Sequence, residues 1–265
     1  MTDFARKFSQ DAEKIALDKE HRKKINFNIG KYDDAVVKGK RQFSNLEAAR
    51  KRAANIRHKT IENLDKYLNE FETHFERNGG KVIWAQNADR AITEILKLLE
   101  KHEIRMVVKS KSMISEELDL NEAFKENGVE SVETDLGEYI VQVAGEKPYH
   151  IVTPAMHKSK EDIAGLFNEK FGTDKNSTPE ELTNFVRKKL REKFMEAGAG
   201  ITGANFLVAD TGSVALTENE GNGMMSFSFP RIHIVIAGIE KIIPSFRDLH
   251  LFWPLLSAYG TGQNL

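Results

Sequence analysis

Short apolar runs alternate with amphipathic segments between residues 81 and 133, and this alternation constrains the fold of the chain most. Strands are predicted at Lys81–Ala85, Arg105–Lys109 and Val129–Glu133, and helices between them at Asp89–Lys101 and Glu116–Glu126. Parallel strands need a crossover of about a helix's length, and that crossover is right-handed. The sequence therefore predicts an α/β fold with a largely parallel sheet flanked by helices.

Further elements continue this pattern toward the C-terminus. Helices are predicted over about 159–171, over 180–196 and from about Ser245, and the remaining predicted strands are Tyr139–Val143, His150–Thr153, Phe206–Ala209, Val214–Leu216 and Ile232–Ala237. Gly198–Gly203 matches the glycine spacing of a dinucleotide-binding loop, but it follows a helix instead of a strand. We therefore interpret it as a flexible connection.

The first 79 residues predict a helical N-terminal extension, and residues 80–265 predict the α/β domain. Ser44 and Glu47 fit a capping box, and the apolar residues behind them recur at helical spacing as far as Phe75. Asn78–Gly80 then ends this long helix, which is expected to be interrupted near residues 58–60. Residues 1–40 are more polar and predict one helix with a loose arm.

Composition excludes several classes of function. The 265 residues include 39 basic and 40 acidic side chains, a balance that argues against a nucleic-acid partner. Cysteine is absent, so these residues hold neither a thiolate metal site nor an iron–sulfur cluster, and no other metal-ligand spacing is found. No apolar run is long enough to span a bilayer and no secretory signal is seen, so a cytoplasmic location is expected.

Two polar turns at predicted strand ends are the main candidates for chemistry. Lys109, Ser110, Lys111 and Ser112 lie between a strand and a helix, where open α/β sheets bind ligands, and their side chains suit an anion. The alternative is a solvated polar loop. The turn at Glu218–Asn222 carries Glu218 and Glu220 as candidate catalytic carboxylates, because a glutamate there can attack an acyl group or act as a base. The alternative is a structural turn that hydrogen-bonds the backbone.

Other polar residues complete the predicted ligand-binding set. Asp135 and Glu138 flank a glycine turn, and His157 follows a predicted strand end. A surface turn and a solvated histidine are the alternatives for these positions. The remaining predicted ligand-binding residues are Thr211, Ser213, Asn219 and Asn222.

Six segments of the chain, in register, point to one family. They are Val108–Met113, Asp135–Ile140, Pro154–Lys158, Phe185–Phe194, Thr202–Ser213 and Asn219–Asn222. Together they resemble the LUD domain of the lactate-utilisation proteins, above all the N-terminal part of their iron–sulfur subunits, the LutB group. The resemblance runs from about residue 44 to the C-terminus and implies a fold like that of NagB, RpiA and the CoA-transferases.

The resemblance also implies a function. Proteins of this group serve L-lactate oxidation to pyruvate and carry [4Fe-4S] clusters in a cysteine-rich, ferredoxin-like region after the LUD domain. Because this chain has no cysteine, we expect it to be a truncated piece, with the clusters in the absent C-terminal region.

The expected partners are sibling lactate-utilisation subunits and a small anionic substrate, and a homo-oligomer is also compatible with the resemblance. Two alternatives remain open. One is a CoA- or acyl-transferase that uses Glu218 or Glu220 as nucleophile, and the other is a non-catalytic scaffold domain.

Overall fold

The computed structural model describes residues 3–150, 153–218 and 220–264. These residues contain twelve α-helices and seven strands. The helices are α1 Asp3–Leu17, α2 Lys19–Lys40, α3 Leu46–Glu62, α4 Leu64–Arg77, α5 Ala88–Lys101, α6 Met113–Glu117, α7 Leu120–Glu126, α8 Leu136–Ala144, α9 Lys160–Phe171, α10 Pro179–Glu196, α11 Asn222–Ser228 and α12 Leu249–Gly260. The strands are β1 Met106–Lys109, β2 Glu130–Glu133, β3 Ala199–Thr202, β4 Phe206–Val208, β5 Ser213–Ala215, β6 Ile232–Val235 and β7 Ile242–Ile243.

A four-stranded parallel sheet with the order β2-β1-β3-β6 carries the main core. The chain passes from β1 to β2 on one side, then crosses back so that β3 lies on the other side of β1. Helices cover both faces: Val107 packs among residues of α5 and α7, and Val108 packs among residues of α8, α9 and α10. Such two-sided burial explains why β1 is a continuous apolar run up to Lys109. The α/β prediction is therefore confirmed.

A second, three-stranded sheet with the order β5-β4-β7 joins the N-terminal helices to the rest of the chain. Strand β4 is antiparallel to β5 and parallel to β7. Phe206 and Val208 pack with Ile56 of α3 and Phe252 of α12, while Leu207 packs with Phe71 of α4. Helices α3 and α4 thus share a core with residues beyond 200. The predicted division of the chain at residue 79 stays a prediction.

Several predicted elements are confirmed. Helices α5, α9 and α10 and the parallel pair β1–β2 lie where the sequence predicts them. Thr178 caps α10 through a capping box with Glu181, and α4 ends just before Asn78–Gly80. The long N-terminal helix is interrupted at Asn63, a few residues after the predicted position. The helix predicted at 116–126 is divided into α6 and α7.

Two predicted strands are wrong. Tyr139–Val143 lies in helix α8, because Asp135 caps the N-terminus there and the apolar run packs as a buried helical face. Short apolar runs are compatible with either structure, so their spacing does not decide between them. Lys81–Ala85 pairs with no described strand, and its Ile83 and Trp84 are exposed. Of the strand predicted at His150–Thr153, residues 151–152 lie outside the described residues.

The N-terminal predictions also need correction. Residues 3–40 form two helices, α1 and α2, instead of one helix and a loose arm. The cap of α3 is Asn45, whose side chain accepts a hydrogen bond from the Ala48 amide, and not Ser44. Asparagine and serine are about equally good caps, so adjacent candidates cannot be ranked by residue type.

The glycine-rich segment Gly198–Gly203 is a central strand, β3, and the interpretation as a flexible connection is wrong. Helix α11 crosses this strand so closely that a β-carbon at Gly200 would lie 1.6 Å from the carbonyl oxygen of Ser226. Glycine inside a strand commonly marks such an approach of another backbone. Glycine at position 200 therefore allows α11 to pack closely against β3.

We expect Gly200→Ala to destabilise the chain by at least about 1–3 kcal/mol, the usual cost of overpacking a core, because α11 must move away from β3. Urea unfolding followed by circular dichroism measures this. Gly165→Ala is the matched control: it lies on an exposed position of α9 with no atom near its added methyl group, and it should be neutral or stabilising by up to about 1 kcal/mol. Equal losses for the two variants would contradict the packing role of Gly200.

Candidate functional site

The carboxyl ends of β1, β2 and β3 meet at one edge of the parallel sheet, where the chain changes direction between β1 and β3. Open α/β sheets bind ligands at such a switch point. Thr134 holds the end of β1, since its amide and hydroxyl both donate to the carbonyl oxygen of Lys109, at 2.9 and 2.7 Å. The loops after β1 and β3 also lie close together, since a β-carbon at Gly203 would lie 2.7 Å from the Ser112 hydroxyl oxygen. The loops after β1, β2 and β3 therefore form one continuous surface.

Lys109 is a fully buried ammonium group at the end of β1. Its Nζ lies 2.9 Å from Glu133 Oε1 and 3.2 Å from Glu116 Oε1. Asn121 donates a further hydrogen bond of 2.8 Å to Glu133 Oε1. Burial by itself lowers the pKa of Lys109, but Glu133 and Glu116 more than offset this and raise the pKa above its usual value. The positive charge of Lys109 is therefore compensated by Glu133 and Glu116 of the chain itself.

Glu138, on the first turn of α8, is a buried carboxyl group beside this ion cluster. Burial raises the pKa of Glu138 to about 9, and the charges of Glu133 and Asp135 act in the same direction. Glu138 and Glu133 each have a buried Oε2 atom with no hydrogen-bond partner among the described residues. A proton on Glu138 supplies an O–H donor, which two ionised carboxylates would lack.

Lys111 is the lysine of this loop that a ligand can reach. Its side chain is 27% exposed, and its Nζ lies 2.9 Å from Asp135 Oδ2. Asp135 also caps α8, because its Oδ1 accepts hydrogen bonds from the amides of Gly137 and Glu138. The ion pair therefore ties the β1 loop to the beginning of α8 while it leaves part of the ammonium group open.

The predicted carboxylate turn packs against the same edge. Glu220 Oε2 accepts a hydrogen bond of 3.3 Å from the Leu136 amide, and Asn222 Nδ2 lies 3.4 Å from the Thr134 hydroxyl. Glu220 as a whole is exposed, but packing around its carboxyl group, together with the charge of Asp135, raises its pKa. The two turns that the sequence singles out are thus neighbours.

Glu218 has a structural partner. Its Oε2 accepts hydrogen bonds of 2.5 and 3.3 Å from the amides of Gly223 and Met224 at the beginning of α11. This carboxylate therefore caps α11. Asn219 lies outside the described residues.

Ser110 and Ser112 line the loop between β1 and α6. The amide of Ser110 donates to the Ile201 carbonyl at 2.9 Å, which joins the loop to β3. The Ser110 hydroxyl is buried and has no hydrogen-bond partner in the part of the chain that the structure describes. Ser112 precedes α6, and its side chain makes no capping hydrogen bond. The buried Ser110 hydroxyl is therefore unsatisfied, and the Ser112 hydroxyl is not used as a helix cap.

The other predicted site residues lie elsewhere. His157 donates to or accepts from Glu146 at 2.7 Å and packs on the ring of Tyr149. Thr211 is in the turn between β4 and β5, where its carbonyl accepts a hydrogen bond from Asn78, the residue after α4, and Ser213 begins β5. Among the described residues, none of these three forms a hydrogen bond or ion pair with Lys111, so they belong to different surroundings.

The sequence-based prediction misses Glu133, Thr134, Glu116 and Asn121, which complete the cluster. Glu133 and Thr134 end a strand just before Asp135, and polar residues at that position are the signal that points to them. Asn121 and Glu116 give no comparable signal, because exposed helices carry many such residues.

Metal binding and membrane insertion gain no support. Within the described ranges there is no group of three or more histidine, aspartate or glutamate side chains placed to hold a metal ion. Nor does any described helix combine the length and the hydropathy that a membrane-spanning segment requires.

Comparison with known proteins identifies the family of the chain. The LUD domain matches residues 68–265, which is most of the chain. The chain belongs to the LUD-domain family. This LUD domain is 43% identical over 229 residues to lactate utilization protein B of Bacillus cytotoxicus, an alignment that covers 86% of the chain and 48% of the relative. No solved structure gave a match.

Two more relatives carry the same name. The protein of Bacillus licheniformis is 44% identical over 226 residues, covering 85% of the chain and 47% of the relative, and that of Oceanobacillus iheyensis is 39% identical over 244 residues, covering 92% and 51%. The LUD domain described here spans about half the length of the curated relatives it matches. The resemblance to the LUD domain of lactate-utilisation proteins is thereby confirmed.

Lys109→Met should destabilise the LUD domain by about 3–5 kcal/mol, because Glu133 then stays buried without its counter-charge. Thermal and urea unfolding measure the loss. The control is the same substitution at Lys147, whose ion pair with Asp119 is exposed and contributes at most about 1 kcal/mol. Similar losses at the two positions would contradict the role assigned to the buried pair.

Because of Glu138, the free energy of unfolding should decrease as pH rises. The folded chain keeps the Glu138 proton up to about pH 9, whereas the unfolded chain loses it near 4.5. Between these values the folded state binds more protons, so its free energy of unfolding decreases by up to about 1.4 kcal/mol per pH unit.

The measurement compares urea unfolding of the unsubstituted chain and Glu138→Gln at several pH values in this window. Glutamine keeps a neutral side chain, so the variant should gain relative stability as pH rises. Glu122→Gln, at an exposed position of α7, should show no such trend. An unchanged pH dependence in Glu138→Gln would contradict the raised pKa.

Proposed function

We propose that this chain is the LUD domain of a LutB-like protein in L-lactate utilisation, and that it binds a small carboxylate anion at the switch point between β1 and β3. Three relatives that share about 40% identity with it are named lactate utilization protein B. The chain spans about half of each of them, so the oxidation of lactate to pyruvate, the sibling subunits and the cytoplasmic location of such a system are parts of this proposal.

The observation that carries the anion site is the combination of Lys111 with the free hydroxyls of Ser110 and Ser112. A partly exposed ammonium group and two hydroxyl donors match the two oxygen atoms of a carboxylate. Lys109 takes no direct part, because Glu133 and Glu116 already neutralise it. Its role is to hold the end of β1 so that the loop keeps its shape.

Electron transfer belongs to another part of the proposed system. The chain contains no cysteine, so none of its own thiolates holds an iron–sulfur cluster. A [4Fe-4S] cluster in a cysteine-bearing region or in a partner subunit would accept the electrons. This domain would then bind the substrate or dock a sibling subunit.

The acyl-transfer alternative has less support. A nucleophilic carboxylate needs an oxygen atom that faces the substrate. In Glu218, Oε2 accepts hydrogen bonds from the α11 amides, and in Glu220, Oε2 accepts one from the Leu136 amide. The scaffold alternative makes the opposite prediction about ligands, because it requires no anion binding at all.

Isothermal titration calorimetry of the chain with L-lactate and with pyruvate tests the proposal. We expect binding by the unsubstituted chain and a loss of about tenfold or more in Lys111→Met, since a charged hydrogen bond contributes about 1.5–3 kcal/mol. Lys111→Arg should retain most of the affinity. Lys97→Met, which changes an exposed lysine of α5, is the matched control and should bind normally. If neither anion binds, or if Lys111→Met binds equally well, the anion site is refuted.

A further inference from the structure

A large cavity lies at the edge strand β2, and Glu130, Ser131 and Glu133 of this strand line it. Its volume is about 690 Å³, and helices α7 and α8 form its walls. Five carboxylates line these walls, against two lysines, and they are Glu116, Asp119, Glu122, Glu130 and Glu146. Each of these five pairs with a lysine, so the charge of the walls is largely balanced. The excess of carboxyl groups lies at Glu133 and Glu138, which share Lys109 with Glu116, and this excess favours a cationic ligand.

The floor of the cavity carries the two buried carboxyl groups of Glu133 and Glu138. Each residue is only 4% exposed, and each has an Oε2 atom without a hydrogen-bond partner among the described residues. Two carboxylates cannot hydrogen-bond each other unless a proton lies between them. A cation with hydrogen-bond donors fits the same place, because it can donate to both oxygen atoms at once.

We propose that this cavity binds a protonated primary amine, whose ammonium group donates hydrogen bonds to the unpartnered Oε2 atoms of Glu133 and Glu138. On binding, the ligand keeps its positive charge, Glu138 ionises, and the displaced proton leaves to solvent. The net charge of the cluster is the same before and after, because one positive charge enters for each proton that departs.

The surrounding groups are compatible with this exchange. Glu138 faces Glu133, Asp135 and Lys109, and Lys109 is itself paired with Glu116. Asn121 and Lys109 already bind Glu133 Oε1, so the Oε2 atom of Glu133 remains for a ligand, and so does that of Glu138. An ammonium group has three donors and requires no fixed coordination geometry, which suits two acceptors that form no metal site.

Calorimetry with ethanolamine as the probe tests the inference near neutral pH. The titration is run in phosphate and in HEPES, two buffers with different heats of ionisation, so that proton release is measured together with binding. We expect about one proton released for each ethanolamine bound, and no binding of ethylene glycol, which has a hydroxyl in place of the ammonium group.

Two variants separate the floor of the cavity from its rim. Glu138→Gln should keep its fold, because glutamine resembles the protonated side chain, but it should release no proton and bind ethanolamine at least about tenfold more weakly. Glu122→Gln removes a rim carboxylate and should keep proton release with a loss of less than about threefold. Melting temperatures of both variants confirm that they are folded.

Three results would overturn the inference. They are the absence of ethanolamine binding by the unsubstituted chain, binding without proton release, and unchanged proton release in Glu138→Gln. A ¹³C NMR titration of the glutamate carboxyl groups gives a second measurement on the unsubstituted chain. Ethanolamine should lower the pKa of Glu138, and an unchanged pKa with saturating ligand would also refute the site.

Discussion

The charge of Lys109 is the constraint on which this edge of the molecule depends. It ends the central strand β1, which is covered by helices on both faces, so water does not solvate its ammonium group. A buried charge is tolerated only when partners compensate it. Glu133 from β2 and Glu116 from α6 supply that compensation. One side chain thereby fixes the relative position of the strand end, its neighbour and the loop between them.

This internal neutralisation decides which groups remain for ligands. Two carboxylates, those of Glu133 and Glu116, compensate the charge of Lys109. Burial and the charge of Glu133 raise the pKa of the neighbouring Glu138. On the β3 side, Lys111 and the unpaired serine hydroxyls face the switch point. On the β2 side, Glu133 and Glu138 line a cavity. Both surfaces contact the same cluster of charged side chains.

Much of the site is predictable because parallel strands bring their carboxyl ends to one edge. The loop Ser110–Ser112, the Asp135 turn and the Glu220 turn are each recognised as polar segments at strand ends, and the structure places them together. Their partners are less accessible to such reasoning. Lys109 and Lys111 look alike in the sequence, yet Lys109 ends the buried strand β1 whereas Lys111 lies in the partly exposed loop after it. Asn121 contacts Glu133 because α7 packs beside β2, which no local pattern encodes.

Local chemistry within the sequence determined the helices α5, α9 and α10, the parallel β1–β2 pair and the family. Those features depend on residues close in the chain, or on motifs in a fixed order. Tertiary structure alone decided that Tyr139–Val143 is helical, that Gly198–Gly203 contains a central strand and that burial raises the pKa of Glu138. Each of these depends on what packs against the segment. Burial and neighbouring charge are properties of the folded chain, so they appear only when distant segments have come together.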